Sequence, residues 1–360
     1  MNKIEKICVF CGKEPFSKNK EHIIPQWLMN HIGVTGERVR FGFDKVTGKP
    51  REFTYKSFTF PACEKCNSAF SSLEKKAKPI LLQLLSEEKL SAKDFHCLLD
   101  WFDKIRIGLW LGFYYLDKNY GNISPKFYIQ TRIGTQDRMI HIVRVKNDDM
   151  ELSFRGCDSV AFHFVPSCFS IIINNFCFYN ISFPFLIARR IGFPFPAESY
   201  MREDGFADYF LAAGRNRIMR PLLKKHFSFK GTGIYQPIFS AAITDKDNDF
   251  YKTDYVRKYS LSYQDGIGNI FIEKDGYVKL ASERPSNDWL PEISYERQSM
   301  NPAISINTLE YQLHVLSQQP SISKLSKSEQ RFWKNNLSVA KRDANWFITA
   351  MKQNERTGIF

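Results

Sequence analysis

The chain has little cysteine, no long apolar run and no internal repeat over its 360 residues. Eight cysteines are too few to staple a chain of this length, which excludes a disulfide scaffold and indicates a reducing compartment. The most apolar stretch, residues 105–116, is shorter than the roughly 20 residues that cross a bilayer. No apolar signal segment follows Met1. We therefore expect a cytoplasmic protein that does not insert into a membrane.

Acidic residues are scarce relative to basic ones, with 38 Asp and Glu against 51 Lys and Arg, which gives a net charge of +13. This surplus favours a polyanionic partner, either nucleic acid or an anionic membrane surface, and charge alone does not choose between them. A basic protein without such a partner is the other interpretation. Hydrophobic residues make up 43% of the chain and charged residues 25%, which is typical of a globular protein with a substantial core.

The cysteines that are present fall into an informative pattern. Cys8 and Cys11 form one C-x-x-C pair, and Cys63 and Cys66 form a second. Two such pairs can offer four thiolates to one tetrahedral ion, so they predict a structural zinc site. Thiols buried in chance pairs, or a redox pair, are the alternatives. The remaining cysteines lie in apolar or strand-like sequence and are expected to be inert core residues: Cys97, Cys157, Cys168 and Cys177.

Polar residues accompany both cysteine pairs. Glu21 and His22 open the run Glu-His-Ile-Ile-Pro between the pairs, and Asn67 follows the second pair directly. The combination of C-x-x-C, Glu-His-Ile-Ile-Pro and C-x-x-C-Asn resembles the HNH endonuclease family. It matches the subgroup in which a zinc-bound cysteine tetrad supports a ββα-metal fold. The resemblance covers about residues 8–75, roughly a fifth of the chain.

The resemblance implies a role for each matching residue. His22 matches the general base that takes a proton from the attacking water. Glu21 and Asn67 match the ligands of a catalytic Mg²⁺ or Mn²⁺ ion, because carboxylate and amide oxygens suit hard cations. The second metal-binding histidine of some family members has no equivalent here. From the residues alone, His22 as a packed loop histidine and Asn67 as a helix cap are the alternatives.

Four further charged residues near the motifs are candidate site residues. Glu74, two helical turns beyond Asn67, is either an extra metal ligand or, more in keeping with its type, a surface or hairpin-clamping acid. Lys20, Arg38 and Arg40 are candidate phosphate contacts, with solvated charge as the equal alternative.

The pattern along the chain predicts an α+β protein in two parts. Residues 1–90 form the ββα-metal HNH module, and residues 91–360 form a larger mixed α+β domain. In the larger part we expect a connector helix over about 91–118, a strand-rich region over about 126–285 and C-terminal helices over about 305–355.

Several local expectations follow from periodicity and turn residues. Residues 52–60 and 127–131 read as strands, and the helix after Cys66 is expected to kink or restart at Pro79. The last helix begins near Ser328. Its predicted apolar face consists of Phe332, Leu337, Ala340, Ala344, Phe347 and Met351. Its polar face is either solvated or aligned along a phosphate backbone, and it carries Arg331, Lys334, Lys341 and Arg342.

These observations predict a metal-dependent endonuclease that hydrolyses phosphodiester bonds, with double-stranded DNA as the expected partner and a context in restriction or anti-phage defence. The alternative is a zinc-stabilised nucleic-acid-binding protein without catalysis. A third interpretation is an interaction protein in which the zinc site is only scaffolding. The oligomeric state is left open.

Overall fold

The structure is a computed structural model that describes residues 5–15, 19–43, 50–116, 123, 125–146, 150–186, 195–201, 207–212, 230–238, 267–274, 277–296, 301–317 and 326–357. The described part mixes helices and strands, which confirms the α+β class. The helices are α1 (Gln26–Ile32), α2 (Glu64–Leu85), α3 (Ala92–Leu116), α4 (Ile129–Arg132), α5 (Val160–Phe164), α6 (Asn301–Ser317) and α7 (Lys327–Thr357).

The strands fall into one large sheet and three two-stranded pairs. The strands are β1 (Lys20–His22), β2 (Arg38–Phe43), β3 (Pro50–Thr54), β4 (Thr59–Pro61), β5 (Arg138–Lys146), β6 (Leu152–Arg155), β7 (Cys168–Ile173), β8 (Phe176–Ser182), β9 (Phe195–Met201), β10 (Ala207–Ala212), β11 (Thr232–Gln236), β12 (Phe271–Lys274), β13 (Tyr277–Leu280) and β14 (Ile293–Glu296).

Two antiparallel strand pairs and α2 make up the N-terminal region. β1 pairs with β4, and β2 pairs with β3. The continuous strand expected over residues 52–60 is wrong, because a 3-10 turn at Tyr55–Ser57 divides it into β3 and β4. Tyr55 turns inward there, and its hydroxyl donates a hydrogen bond to the carbonyl oxygen of Leu152 at 2.5 Å. The turn thus ties the small strands to the large sheet.

α2 runs without interruption from Glu64 to Leu85 with Pro79 inside it, so the expected restart at Pro79 is wrong. A proline removes one ladder hydrogen bond. Packing compensates for that loss, since Ala77, Leu81 and Leu84 are buried on either side of it. The helix therefore continues as one element from the second cysteine pair to Leu85.

α3 is the central element of the core. Ser91 and Asp94 start it with a capping pair, in which the Ser91 N–H donates to Asp94 Oδ2 at 2.8 Å. Its glycines permit close approach to the N-terminal strands: a Cβ on Gly108 would lie 2.5 Å from Ile23, and one on Gly112 would lie 2.6 Å from Phe60. One continuous apolar cluster extends from Cys8 through α3 to Trp289.

The large sheet runs in the order β13-β12-β11-β5-β8-β7-β6, with β14 added parallel to β5. Its central strands β7 and β8 are buried at every position, as expected for strands covered on both faces.

The strand expected at residues 127–131 is wrong. The backbone N–H of Tyr128 donates to Thr131 Oγ1 at 3.0 Å, and this local bond stabilises the short helix α4 instead.

The C-terminal helices pack beside this sheet. In α6, Gln312 Nε2 donates to the carbonyl oxygen of Cys168 at 2.7 Å. α7 packs on α5 and α6, with Ala340 in the contact, and Ala340 and Ala344 are fully buried. Phe332 is 61% exposed, so its place in the predicted apolar face is wrong.

Of the helices in the described ranges, none has the length and apolar content required to cross a membrane.

Candidate functional site

The four paired cysteines converge in space. All four Sγ atoms lie within 4.8 Å of one another, and Cys11 Sγ is 3.8 Å from Cys63 Sγ. Tetrahedral zinc with Zn–S bonds of about 2.3 Å places its sulfur ligands about 3.8 Å apart. The donor set and its spacing therefore fit a structural zinc ion held by Cys8, Cys11, Cys63 and Cys66.

A tight backbone turn at Gly12 follows the first cysteine pair. Gly12 adopts a left-handed conformation with φ of 74°, and its N–H donates to the carbonyl oxygen of Cys8 at 2.9 Å. A side chain there would also collide with the Tyr128 ring, 2.1 Å from the position of a Cβ. The Val9 N–H donates to the carbonyl oxygen of Pro61 at 3.0 Å, which docks this turn on the end of β4.

The second cysteine pair straddles the start of α2. Cys63 is the residue before the helix, and its N–H donates to Cys8 Sγ at 3.2 Å. Burial, with hydrogen bonds to neighbouring thiols, raises the pKa of Cys63 to about 11 and that of Cys66 to about 12. Thiols this close resist joint ionisation without a cation among them, because their thiolates repel one another. A bound metal ion would supply that cation.

Glu21 and His22 lie on β1, opposite Phe60 and Thr59 of β4. Neighbouring strand residues point to opposite faces, so the two side chains diverge. Glu21 is buried and His22 is half-buried. Among the described residues, His22 Nδ1 has no hydrogen-bond partner although it is buried.

Glu21 has a partner that sequence reasoning missed. Lys104 Nζ of α3 lies 2.6 Å from Glu21 Oε1 and 2.6 Å from Glu74 Oε1. Only 1% of the Lys104 side chain is exposed. A lysine in an apolar helix needs a buried partner, and that requirement was the available sequence signal. The partners, however, are 83 and 30 residues away in the chain.

Glu74 is the centre of a clamp between three helices. In addition to Lys104, it accepts hydrogen bonds from the indole nitrogens of Trp27 on α1, at 2.8 Å, and Trp101 on α3, at 3.1 Å. Its side chain is only 16% exposed. The structure therefore places Glu74 inside the protein as a clamping acid and not on the surface.

Burial and neighbouring charge shift the pKa values of the groups in this cluster. Burial raises the pKa of Glu21, an effect that Lys104 opposes and Glu74 reinforces. Burial alone would lower the pKa of Lys104, but Glu74 and Glu21 outweigh it and hold that pKa above the usual value. Burial, and then the charge of Lys104, lower the pKa of His22. The His22 imidazole is consequently neutral at neutral pH and able to accept a proton.

Asn67 is the fourth residue of α2, one turn beyond Cys63. Its N–H donates to the carbonyl oxygen of Cys63 at 2.9 Å, which is an ordinary bond inside the helix. The alternative of Asn67 as a helix cap is wrong, because Cys63 takes the capping position. The Asn67 side chain is half-buried.

The candidate phosphate contacts lie on the outside. Lys20 is exposed on β1. Arg38 and Arg40 on β2 both bind Glu52 of β3, at 2.9 Å and 3.2 Å, with their side chains 75% exposed. Hydrogen bonds from Arg38 and Arg40 lower the pKa of Glu52. Both arginines are accessible to an anion, although Glu52 already neutralises part of their charge.

The donor set for a catalytic ion is sparser than that for zinc. Within the described ranges, the cysteine tetrad is the one group of three or more His, Cys, Asp or Glu ligands close enough to hold a metal. Glu21 and the amide of Asn67 would contribute oxygen ligands. Oxygen atoms are the ligand type that Mg²⁺ prefers, and Mg²⁺ commonly binds one or two protein carboxylates and keeps several waters. The charge of Lys104 beside Glu21 weighs against tight binding of an ion there.

Comparison of the chain with protein-family models, curated proteins and solved structures finds no match in any of the three.

Proposed function

We propose that the protein is a metal-dependent endonuclease of the HNH type that hydrolyses phosphodiester bonds in double-stranded DNA. One observation carries this proposal. Strand β1, with Glu21 and His22, pairs with β4, and β4 leads through a cysteine pair directly into α2, which carries Asn67. The cysteine tetrad brings the start of that helix next to the N-terminal turn.

The proposed chemistry gives each side chain one task. The neutral His22 imidazole takes a proton from a water molecule, whose oxygen attacks phosphorus as the bond to the leaving oxygen breaks. Glu21 and Asn67 would hold a divalent ion, which supplies charge stabilisation at the phosphate when bound. Lys104 holds the Glu21 carboxylate in place, with its Nζ 2.6 Å from Oε1. The four thiolates hold zinc, which suits a reducing compartment such as the cytoplasm.

A plasmid-cleavage assay tests the proposal. Purified protein with Mg²⁺ or Mn²⁺ is expected to convert supercoiled DNA to nicked or linear forms. His22→Ala should reduce the rate by about 10²- to 10⁴-fold, the usual worth of a general base. His31→Ala, which removes an exposed histidine of α1, is the matched control and should cut normally. Equal cutting by the wild type and His22→Ala would refute the assignment, as would an absence of cutting with any metal.

A second candidate is a zinc-stabilised DNA-binding protein without catalysis. The contact between Lys104 and Glu21 favours it, because an ammonium group already neutralises the carboxylate that would hold the catalytic ion. This candidate predicts DNA binding with steep salt dependence, unchanged in His22→Ala, and no cleavage.

A further inference from the structure

One face of helix α7 packs against the rest of the protein. Ala340 and Ala344 are buried, and Ala340 and Leu337 pack against residues of α5 and α6. Asp343 Oδ2 accepts a hydrogen bond from the Val160 N–H of α5 at 3.1 Å. These contacts fix the rotation of the helix about its axis. The opposite face therefore points away from the protein.

A row of large apolar side chains lies exposed along α7. Phe332 is 61% exposed, Val339 40% and Trp346 66%. They are spaced seven residues apart, so at about 100° per residue they stay within about 40° of one line and span about 21 Å. A row of two exposed aromatic rings and a valine is unusual for a surface without a partner.

A band of positive charge runs beside this row. On a helical projection Arg331 and Arg342 lie next to the apolar row, and the lysines lie further round. All are exposed, and no ion pair among the described residues neutralises them: Lys327, Arg331, Lys334, Lys341 and Arg342. Between Phe332 and Trp346 the sequence has one acidic residue, Asp343, and it is held by α5.

The same helix ends beside the N-terminal hairpin. Phe347 and Met351 line a cleft of about 860 Å³ whose lining also includes Arg38 and Arg40 of β2. At the other end of α7, a depression of about 460 Å³ is lined by Lys327, Ser328, Arg331, Phe332 and Asn335. The acidic side chains of Glu37, Glu52, Glu151 and Asp158 also line the first cleft, so the basic band belongs to α7 and does not extend across that cleft.

We propose that this exposed face of α7 binds double-stranded DNA, with its cations on the phosphates and its apolar row against the sugars and groove edge. The inference rests on the proposed action on DNA. Charge complementarity carries it, since exposed cations that form no ion pair with the described residues match a polyanion. A membrane surface fits less well. An interfacial helix buries its broad apolar face in lipid, and here that face is already packed on α5 and α6.

Salt-dependent DNA binding tests the assignment. All proteins carry His22→Ala so that no cleavage intervenes, and the probe is a fluorescein-labelled 30-base-pair duplex read by anisotropy. The face variant replaces Arg331, Lys334, Lys341 and Arg342 with Gln. Each lost phosphate contact lowers the slope of log K against log salt by about 0.9, so a fall of about 3 to 4 is expected. Affinity near physiological salt should fall at least about tenfold.

A charge-matched control separates this face from net charge. It replaces four exposed basic residues elsewhere, Lys89, Lys93, Lys146 and Arg284, with Gln. It should keep the parental slope. Equal slopes and affinities in the face variant and this control would overturn the proposal. Binding of the parent to phosphatidylserine vesicles through this face, with duplex binding unchanged in the face variant, would overturn it in favour of a membrane.

The two proposals fail in different ways. If the wild type cuts plasmid DNA but the face variant binds the duplex like its control, the α7 assignment is wrong and the nuclease assignment stands. If duplex binding depends on the face but no metal supports cutting, the nuclease assignment is wrong and the face stands. If the parent binds no duplex, both are wrong.

Discussion

The N-terminal region and the large sheet are held together by different forces. The first combines two short antiparallel strand pairs, of which β1 and β4 have three residues each, with a cysteine tetrad and a buried lysine between two carboxylates. The second rests on long paired strands, of which β7 and β8 are buried at every position. The N-terminal region shares one apolar cluster with the large sheet, and it adds to that burial a cysteine tetrad and a buried charge cluster. Its order should therefore depend on metal and charge, whereas that of the sheet should not.

The largest expected effect comes from removing zinc. Structural zinc contributes about 10–16 kcal/mol of apparent binding energy at neutral pH. Cys63→Ser should abolish zinc retention and the protection of amides in residues 8–85 from hydrogen exchange, while β7 and β8 remain protected. Cys97→Ser, which changes a half-buried cysteine outside the tetrad, is the control and should keep one zinc. Equal loss of amide protection in β7 and β8 of Cys63→Ser would contradict the proposed difference between the two regions.

The next effect comes from Lys104. Lys104→Met leaves Glu21 and Glu74 as buried carboxylates without their cation, which typically costs about 3–5 kcal/mol. Denaturant unfolding should show this loss, and Glu74→Gln in the same chain should restore part of it. Lys93→Met, an exposed change on the same helix, should alter the free energy of unfolding little. A loss no larger than that of Lys93→Met would show that the cluster contributes little.

The smallest effect belongs to the sheet. Ile171 lies fully buried in β7, and Ile171→Val should cost about 0.5–1.5 kcal/mol by the loss of one methylene group. The cost should be the same in zinc-loaded and zinc-depleted protein, as measured by denaturant unfolding of both. A drop in zinc retention in the Ile171→Val variant would mean that packing in the sheet affects the zinc site, and that the two regions are not stabilised independently.

The cysteine tetrad and the α+β class were predictable because they depend on local spacing and periodicity. Two C-x-x-C pairs indicate a metal whatever the intervening fold. Lys104 could not be assigned, because its partners are distant in sequence and the pairing depends on how α3 packs. The helix at Tyr128 was missed because one side-chain bond to Thr131 outweighs a strand-like composition.

The exposure of Phe332 shows a similar limit. Periodicity places Phe332 with the apolar residues of α7, yet the helix packs through its alanines and turns this ring outward. Small residues allow α5 and α6 to approach closely, and hydropathy does not register that preference. Tertiary packing, and not the local pattern, decides which apolar side of such a helix is buried.

Helix α3 also limits how this chain can be rearranged by recombination. Its glycines receive Ile23 and Phe60, and its lysine neutralises the acids of the motif that precedes it. A transfer of the first ninety residues to another protein would leave those carboxylates and that apolar surface without their complement. The cysteine motif and α3 therefore form one structural unit. Relatives that keep the motif should also keep a helix with a buried cation and two small residues.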